Sequence, residues 1–470
     1  MSGEDRLDPD GVRNDGVPYY EADARRLQSY IDARAELSRF DAPVFVHAGN
    51  PHEYLYVASF DGTGNDKLKD PEHETNIGKI DDQIKGLMKA GGEQIRGSYV
   101  AGPGTEANFI ERTFDGMDGH TYGARIEEQY KLFIDQAWRW KQADPAAAIS
   151  VADIGFSRGG EQAAGFARIV QERGIQDPMG AHYTYDSHHR ITHVEYTRPP
   201  LVEPGQVAQA VGLFDPVGTG DPVKHHDRRL PPSVISGFQI IATDERRGLF
   251  KSDHIIDPGM TADGRFLGVT VAGAHSDVGG SYHRDGLAIR SENLMVDYLN
   301  GLSDQPFLGH QAEPDDPRLD VVHRSEDGTL LYRLAPKVDR LAPGGYNELL
   351  VPRSEATRVA DPFNAEPRDE SLNRQFERQR IDTGVRPAIP DQPERAPSGD
   401  LSSRLDRLLA AGQADDWGAF GRENQGLAFG EAGRGMLARA TAQADWLEQQ
   451  AVQQMARQQL VQQPGAVMSL

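Results

Sequence analysis

Ser157 stands in Gly155-Phe156-Ser157-Arg158-Gly159, a serine with a glycine two positions to either side. An apolar run, Ile149 to Ile154, precedes it, and the small residues Gly160, Ala163, Ala164 and Ala167 follow at helical spacing. Strand, sharp turn and helix in that order are what a nucleophile elbow requires. The turn strains the serine backbone, so its neighbours must be small. The helix start aims free N–H groups and a positive dipole end at any oxyanion formed there. A serine hydroxyl is a weak nucleophile at neutral pH, so it needs a base, and the base needs an orienting acid. On such an elbow the partners follow in the order serine, acid, histidine. Asp215 ends the apolar run Val211-Gly-Leu-Phe, and His275 follows Val269-Thr-Val-Ala-Gly-Ala and precedes a Gly-Gly turn. Ser157, Asp215 and His275 are therefore the predicted nucleophile, acid and base. Asp244, also placed just past a strand-like run, is the alternative acid, although Asp244-Glu-Arg-Arg247 reads better as an ion-pair cluster. Asp277, two residues beyond His275, is expected to fix its loop.

The loop Phe60-Asp-Gly-Thr-Gly-Asn-Asp66 is the second site element. Backbone N–H groups of Gly62 and Thr63, with that of Arg158, are the predicted oxyanion hole. A self-capped turn is the alternative. The loop lacks the Lys-Ser/Thr ending of a P-loop and the full G-x-G-x-x-G spacing, so nucleotide binding is not expected. No ligand spacing matches a metal site, and neither metal nor cofactor is predicted.

Strands alternating with helices must position these loops. Apolar runs at Tyr54–Phe60, Ile95–Ala101, Ala208–Phe214, Phe238–Ala242 and Phe266–Ala272 read as strands, besides the one before Ser157. Residues 22–39 and Tyr122–Lys141 read as helices. The pattern predicts an α/β fold, a mostly parallel sheet with helices on both faces. Residues 1–20 read as disordered within an N-terminal arm spanning 1–45, and 46–300 as the catalytic domain. Residues 175–205, with His182, His188, His189 and His193, read as an irregular insertion. Residues 301–400 read as an irregular Pro-rich extension ending in a linker at 385–399, and 401–470 as a helical tail. The insertion or part of 303–380 is expected to form the acyl-chain groove.

Composition narrows the class. The formal charge of −22 argues against nucleic acid, whose phosphates need a basic surface. Zero cysteines remove disulfides and thiolate metal sites. No apolar stretch reaches transmembrane length. The acidic first ten residues lack an apolar run, so a Sec signal peptide is not expected.

Three segments together, residues 60–66, 155–160 and 273–282, resemble the α/β-hydrolase family of type VI secretion phospholipase effectors. Leu213–Gly218 and Ala242–Phe250 are similar to lesser stretches of that family. The resemblance spans roughly 50–300. It implies esterase chemistry on glycerophospholipids, a phospholipase A, with Ser157, Asp215 and His275 as the triad. It also implies synthesis in the cytoplasm, secretion, and action at the membrane or periplasm of a rival cell. A secretion-apparatus or adaptor protein bound through the tail and an immunity protein are the implied partners. Gly160 replaces the family's usual alanine, and Pro216 its usual threonine. The rival expectations are a soluble carboxylesterase and an inactive hydrolase scaffold that only binds a partner.

Overall fold

The computed structural model describes residues 7–102, 119–218, 227–328, 330–342, 344–347 and 365–384. The linker predicted at 385–399 and the tail predicted at 401–470 lie outside the described residues.

Seven strands form the central sheet: β1 (Glu53–Phe60), β2 (Ile95–Val100), β3 (Ala148–Phe156), β4 (Gln209–Phe214), β5 (Val234–Ala242), β6 (Gly259–Met260) and β7 (Phe266–Val271). Their spatial order is β6-β7-β5-β4-β3-β1-β2. Every neighbouring pair is parallel except β6 with β7. The strands are near-continuous apolar runs because both faces are covered. Leu55 and Val57 of β1 enter one core, and Tyr54, Tyr56 and Phe60 the other. The register pairs Phe60 with Gly155, Phe156 with Phe214, Phe214 with Ile240 and Ala242 with Val271. These strands finish level, so the loops after them gather along one edge.

One face is covered by α1 (Ala24–Leu37), α2 (Asn76–Lys89) and, further along the chain, Gly286–Asn300. The other is covered by α3 (Gly119–Ala143) and α4 (Arg158–Arg173). A five-residue helix, α5 (His275–Gly279), precedes α6, the helix at Gly286–Asn300. Asp23 caps α1 by accepting from Arg26 N at 2.9 Å, and Thr75 caps α2 by accepting from Gly78 N at 3.2 Å, each filling an orphan donor. Helices α2 and α6 have no counterpart in the sequence reading. In α6 nearly every residue from Gly286 to Leu299 is buried, so no polar stripe marks its period.

Residues 7–20 were expected to be disordered, yet they are tied down. Asp8 and Asp10 pair with Arg284, both at 2.9 Å, and Tyr19–Glu21 runs antiparallel to Val321–His323. The predicted irregular insertion is also corrected: it is a β-hairpin, with Ala181–Tyr185 antiparallel to Ile191–Tyr196 and its base closed between Ile175 and Val202. It links the end of α4 to the start of β4, so it springs from the edge where strands begin. That is opposite the loops that follow Phe60, Phe156 and Phe214, and the hairpin therefore cannot line a groove there. Its four histidines are exposed. Part of the described chain beyond 301 lies at the opposite edge: Lys337 bridges to Arg247, and Tyr346–Asn347 runs beside Ser252–Asp253.

Candidate active site

Ser157 occupies the turn between β3 and α4 with φ 58° and ψ −126°. A non-glycine residue at positive φ is strained, and such strain persists only where surrounding structure enforces it. Here the Ser157 N–H donates to Phe214 O at 3.0 Å, and its carbonyl accepts from Gly160 N at 3.0 Å and Val217 N at 3.3 Å. A Cβ on Gly159 would stand 2.2 Å from the Phe60 carbonyl, so only glycine fits where the elbow meets the β1 loop. Gly160 and Pro216 touch: a Cβ on Gly160 would meet the proline ring at 3.2 Å. The two departures from the family pattern thus pack against each other, the smaller residue making room for the ring.

Asp215 and His275 come together as predicted. Asp215 Oδ2 lies 2.6 Å from His275 Nδ1, and both residues are buried. The second carboxylate oxygen, Oδ1, accepts from Arg340 Nη1 at 2.6 Å and from Ala242 N at 3.0 Å. Burial pushes Asp215 upward, but Arg340 and the bond to His275 outweigh it and hold the carboxyl below its usual range. Burial also dominates at His275, lowering it below the usual imidazole value against the pull of Asp215, with Arg247 and Arg340 adding to the lowering. The imidazole is therefore neutral at neutral pH, the form a general base needs. Its ring lies between Phe156, centroid 4.6 Å away, and Phe250, at 5.2 Å. Ser157 Oγ and His275 Nε2 share no hydrogen bond in this structure; the residue before the serine, Phe156, is the one that packs on the imidazole.

The remaining acidic residues separate cleanly. Asp244, the alternative acid, accepts from Tyr20 Oη at 3.2 Å and from Gly273 N at 2.9 Å, and it faces Arg26 at 3.5 Å. It anchors α1 to the loop before His275 and does not touch the imidazole. Glu245 and Arg247 form the expected ion pair, at 2.8 Å. Burial would raise Glu245, yet Arg247 brings it down to about 2. Glu245 also accepts from the His275 N–H at 3.3 Å, while Arg247 lies 3.5 Å from the Phe250 ring centroid. Asp277 fixes its loop as predicted, accepting from Ala274 N at 2.8 Å and from His323 N at 2.9 Å.

The predicted oxyanion donors fare differently. The Gly62 N–H is taken by its neighbour, donating to Asp61 Oδ1 at 2.7 Å, so this expectation is corrected. Asp61 is buried and also accepts from Thr75 at 2.7 Å and Tyr99 at 2.6 Å. Burial raises it to about 6 in spite of those bonds. The carboxyl thus ties the loop after β1 to the cap of α2 and to Tyr99 of β2. Thr63 follows in a turn closed by Asn65 N to Gly62 O at 3.0 Å, and its buried Oγ1 has no hydrogen-bond partner among the described residues. Arg158 holds the first helical position of α4, so its N–H lies at the N-terminal end of the helix just after Ser157. Among the described residues no group of three or more His, Asp or Glu side chains converges as a metal-ligand set.

Arg340 and Phe250 were missed by sequence reasoning. Arg340 is one arginine among many in a segment without periodicity, and nothing in its spacing marks it.

A family model described as "T6SS, Phospholipase effector Tle1-like, catalytic domain" matches residues 56–301, more than half of the 470-residue chain. The chain belongs to this family. The match covers the strands that carry all three predicted triad residues of this Tle1-like chain, and the fold is the α/β-hydrolase-like architecture expected. No curated protein matches the Tle1-like chain. Among solved structures, an uncharacterized protein from Pseudomonas aeruginosa is 16% identical with a TM-score of 0.32, covering 87% of this chain and 66% of that one. A Tle1 effector bound to the VgrG spike of the Type 6 secretion system is 18% identical with a TM-score of 0.26, covering 51% and 52%. The Tle1-like chain thus spans about two thirds and about half of the lengths of these structures.

Proposed function

We propose that this Tle1-like protein is a serine phospholipase A that hydrolyses acyl esters of glycerophospholipids. The observation that carries the reading is the buried Asp215–His275 hydrogen bond of 2.6 Å, together with a serine held at φ 58° in the turn after β3. Ser157 Oγ rotates onto His275 Nε2 and attacks the ester carbonyl while the imidazole takes its proton. Asp215 holds the Nδ1–H tautomer and stabilises the imidazolium. Thr63, through its backbone N–H or its unpartnered hydroxyl, and the Arg158 N–H hold the oxyanion. His275 then gives its proton to the leaving alcohol, and water deacylates Ser157 with the same base. No helix among the described residues is long and apolar enough to cross a membrane.

Membership of a type VI secretion effector family supports export through that apparatus into a rival cell, with action at its membrane or periplasm. The solved Tle1 effector is bound to a VgrG spike; for this chain a secretion-apparatus partner is proposed to engage residues 401–470. An immunity protein covering the strand-end edge would protect the producer. In domain terms, we assign an N-terminal arm at 1–45, a catalytic unit at 46–300, an extension at 301–400 and a tail at 401–470.

The test is fatty-acid release from phosphatidylethanolamine–phosphatidylglycerol vesicles by the full chain and by Ser157→Ala. The variant should fold normally and lose at least about 10³-fold in rate. Undiminished hydrolysis by Ser157→Ala would overturn the mechanism. Cleavage of a short soluble ester with no vesicle hydrolysis would overturn the lipid substrate and favour a soluble carboxylesterase.

A further inference from the structure

We propose that Arg340 is the positioning residue of the triad acid, so that a segment beyond the family-matched region completes the site. The proposal rests on reading Asp215 and His275 as acid and base. Arg340 is buried and makes four hydrogen bonds. Its Nη1 donates to Asp215 Oδ1 at 2.6 Å and to Ala242 O at 2.8 Å. Its Nη2 donates to Phe250 O at 2.6 Å, and Nε to the same carbonyl at 3.1 Å.

A carboxylate with one oxygen clamped cannot turn. With Oδ1 held by Arg340 and Ala242, Oδ2 stays on His275 Nδ1, and the ring keeps Nε2 for the serine. The fork also fixes the backbone of Phe250, whose ring packs against the imidazole. A planar guanidinium with five donors in rigid geometry suits this task, and a lysine ammonium does not.

The charge acts alongside the geometry. Asp215 and Glu245 are the anions facing His275, while Arg340 and Arg247 are the cations. The two signs balance, and the resting imidazole stays neutral. Removing the positive charge of Arg340 leaves Asp215 in excess and favours the imidazolium. The base is then protonated at a higher pH, and the acid limb of the rate profile moves upward.

The experiment measures kcat and KM for p-nitrophenyl butyrate from pH 5 to 9, using the full chain, Arg340→Gln, Arg340→Lys and Ser157→Ala, with folding followed by circular dichroism. Arg340→Gln should lower plateau kcat by about thirtyfold with little change in KM, and raise the acid limb by roughly half a pH unit or more. Arg340→Lys, which keeps the charge and loses the fork, should restore the limb and recover only part of kcat. A folded Arg340→Gln with wild-type kcat and limb overturns the proposal, as does an equal loss in both variants with no movement of the limb. Should Arg340→Gln not fold, Arg340→Lys decides: reduced kcat at unchanged KM supports positioning, and wild-type kcat rejects it. Activity surviving in Ser157→Ala would fault the triad reading instead, whatever the Arg340 variants do.

Discussion

Two buried histidines in this molecule share the same local bond and differ in charge. His275 Nδ1 meets Asp215 at 2.6 Å, and His323 Nδ1 meets Asp277 at 2.5 Å. The difference lies in what surrounds each pair. Asp215 is shared with Arg340, and Arg247 lies close, so burial wins and His275 sits below its usual value. His323 has a second carboxylate, Asp15, at 3.0 Å from Nε2. Burial would lower His323 too, but Asp277 and Asp15 together raise it to about 9. One imidazole is left neutral with a free nitrogen. The other is an imidazolium with both nitrogens occupied and Tyr282 stacked at 3.8 Å. A His–Asp contact alone therefore does not mark a base; the charge on the next residue out decides. The two sites are also joined, because Asp277 holds the Ala274 N–H just before His275. The charged pair fixes the turn that presents the neutral one.

Exchanging the roles gives the largest effect. His275→Gln should lower ester hydrolysis by about 10⁴-fold while the melting temperature changes little. His323→Gln should leave kcat per folded molecule within about threefold and destabilise the fold by about 3 kcal/mol, because two buried carboxylates lose their shared cation. Steady-state kinetics set beside urea unfolding of both variants checks the pair. Comparable activity loss in the two would erase the distinction.

Next in size is the acid. Asp215→Asn should cost about 10³-fold or more, since the amide favours the wrong tautomer. Asp244→Asn should change the rate by less than about threefold, since Asp244 contacts Tyr20, Arg26 and Gly273 and not His275. A large loss in Asp244→Asn with little in Asp215→Asn would restore the alternative acid.

The smallest effects are in pH dependence. His275 is lowered, so kcat/KM should stay on its plateau down to below about pH 6.5 before falling. His323 is raised to about 9, so its stabilisation is fully present below the unfolded value of about 6.5 and is lost as pH rises through 9. Unfolding free energy should therefore decline between those limits in the wild type and much less in His323→Gln. Urea titrations at pH 6, 7.5 and 9 measure this; an equal decline in the variant would remove His323 as its source.

The contrast also explains what was legible in advance. Ser157, Asp215 and His275 each follow an apolar run, and a parallel sheet puts every strand end along one edge. Chain order therefore carried over into spatial proximity. Gly62 was misread because its donor is captured by the side chain of the preceding residue, a contact that a loop motif cannot foretell. Residues 7–20 are polar and aperiodic, yet Arg284, nearly three hundred positions away, holds them through Asp8 and Asp10. Helices α2 and α6 escaped notice for opposite reasons: α2 is rich in Gly, Asn and Asp, and α6 is buried nearly all round.

The sequence by itself determined the α/β class, the strained serine turn and the loops whose Asp215 and His275 the fold brings into contact. These follow from short-range rules: apolar runs make strands, small residues permit the elbow, and strand ends present loops. Only the tertiary structure decided which charges surround each histidine and where the hairpin and Arg340 lie. The electrostatic environment of a buried group depends on residues brought from anywhere in the chain. Arg340, 125 positions from Asp215, shows how far that reach extends.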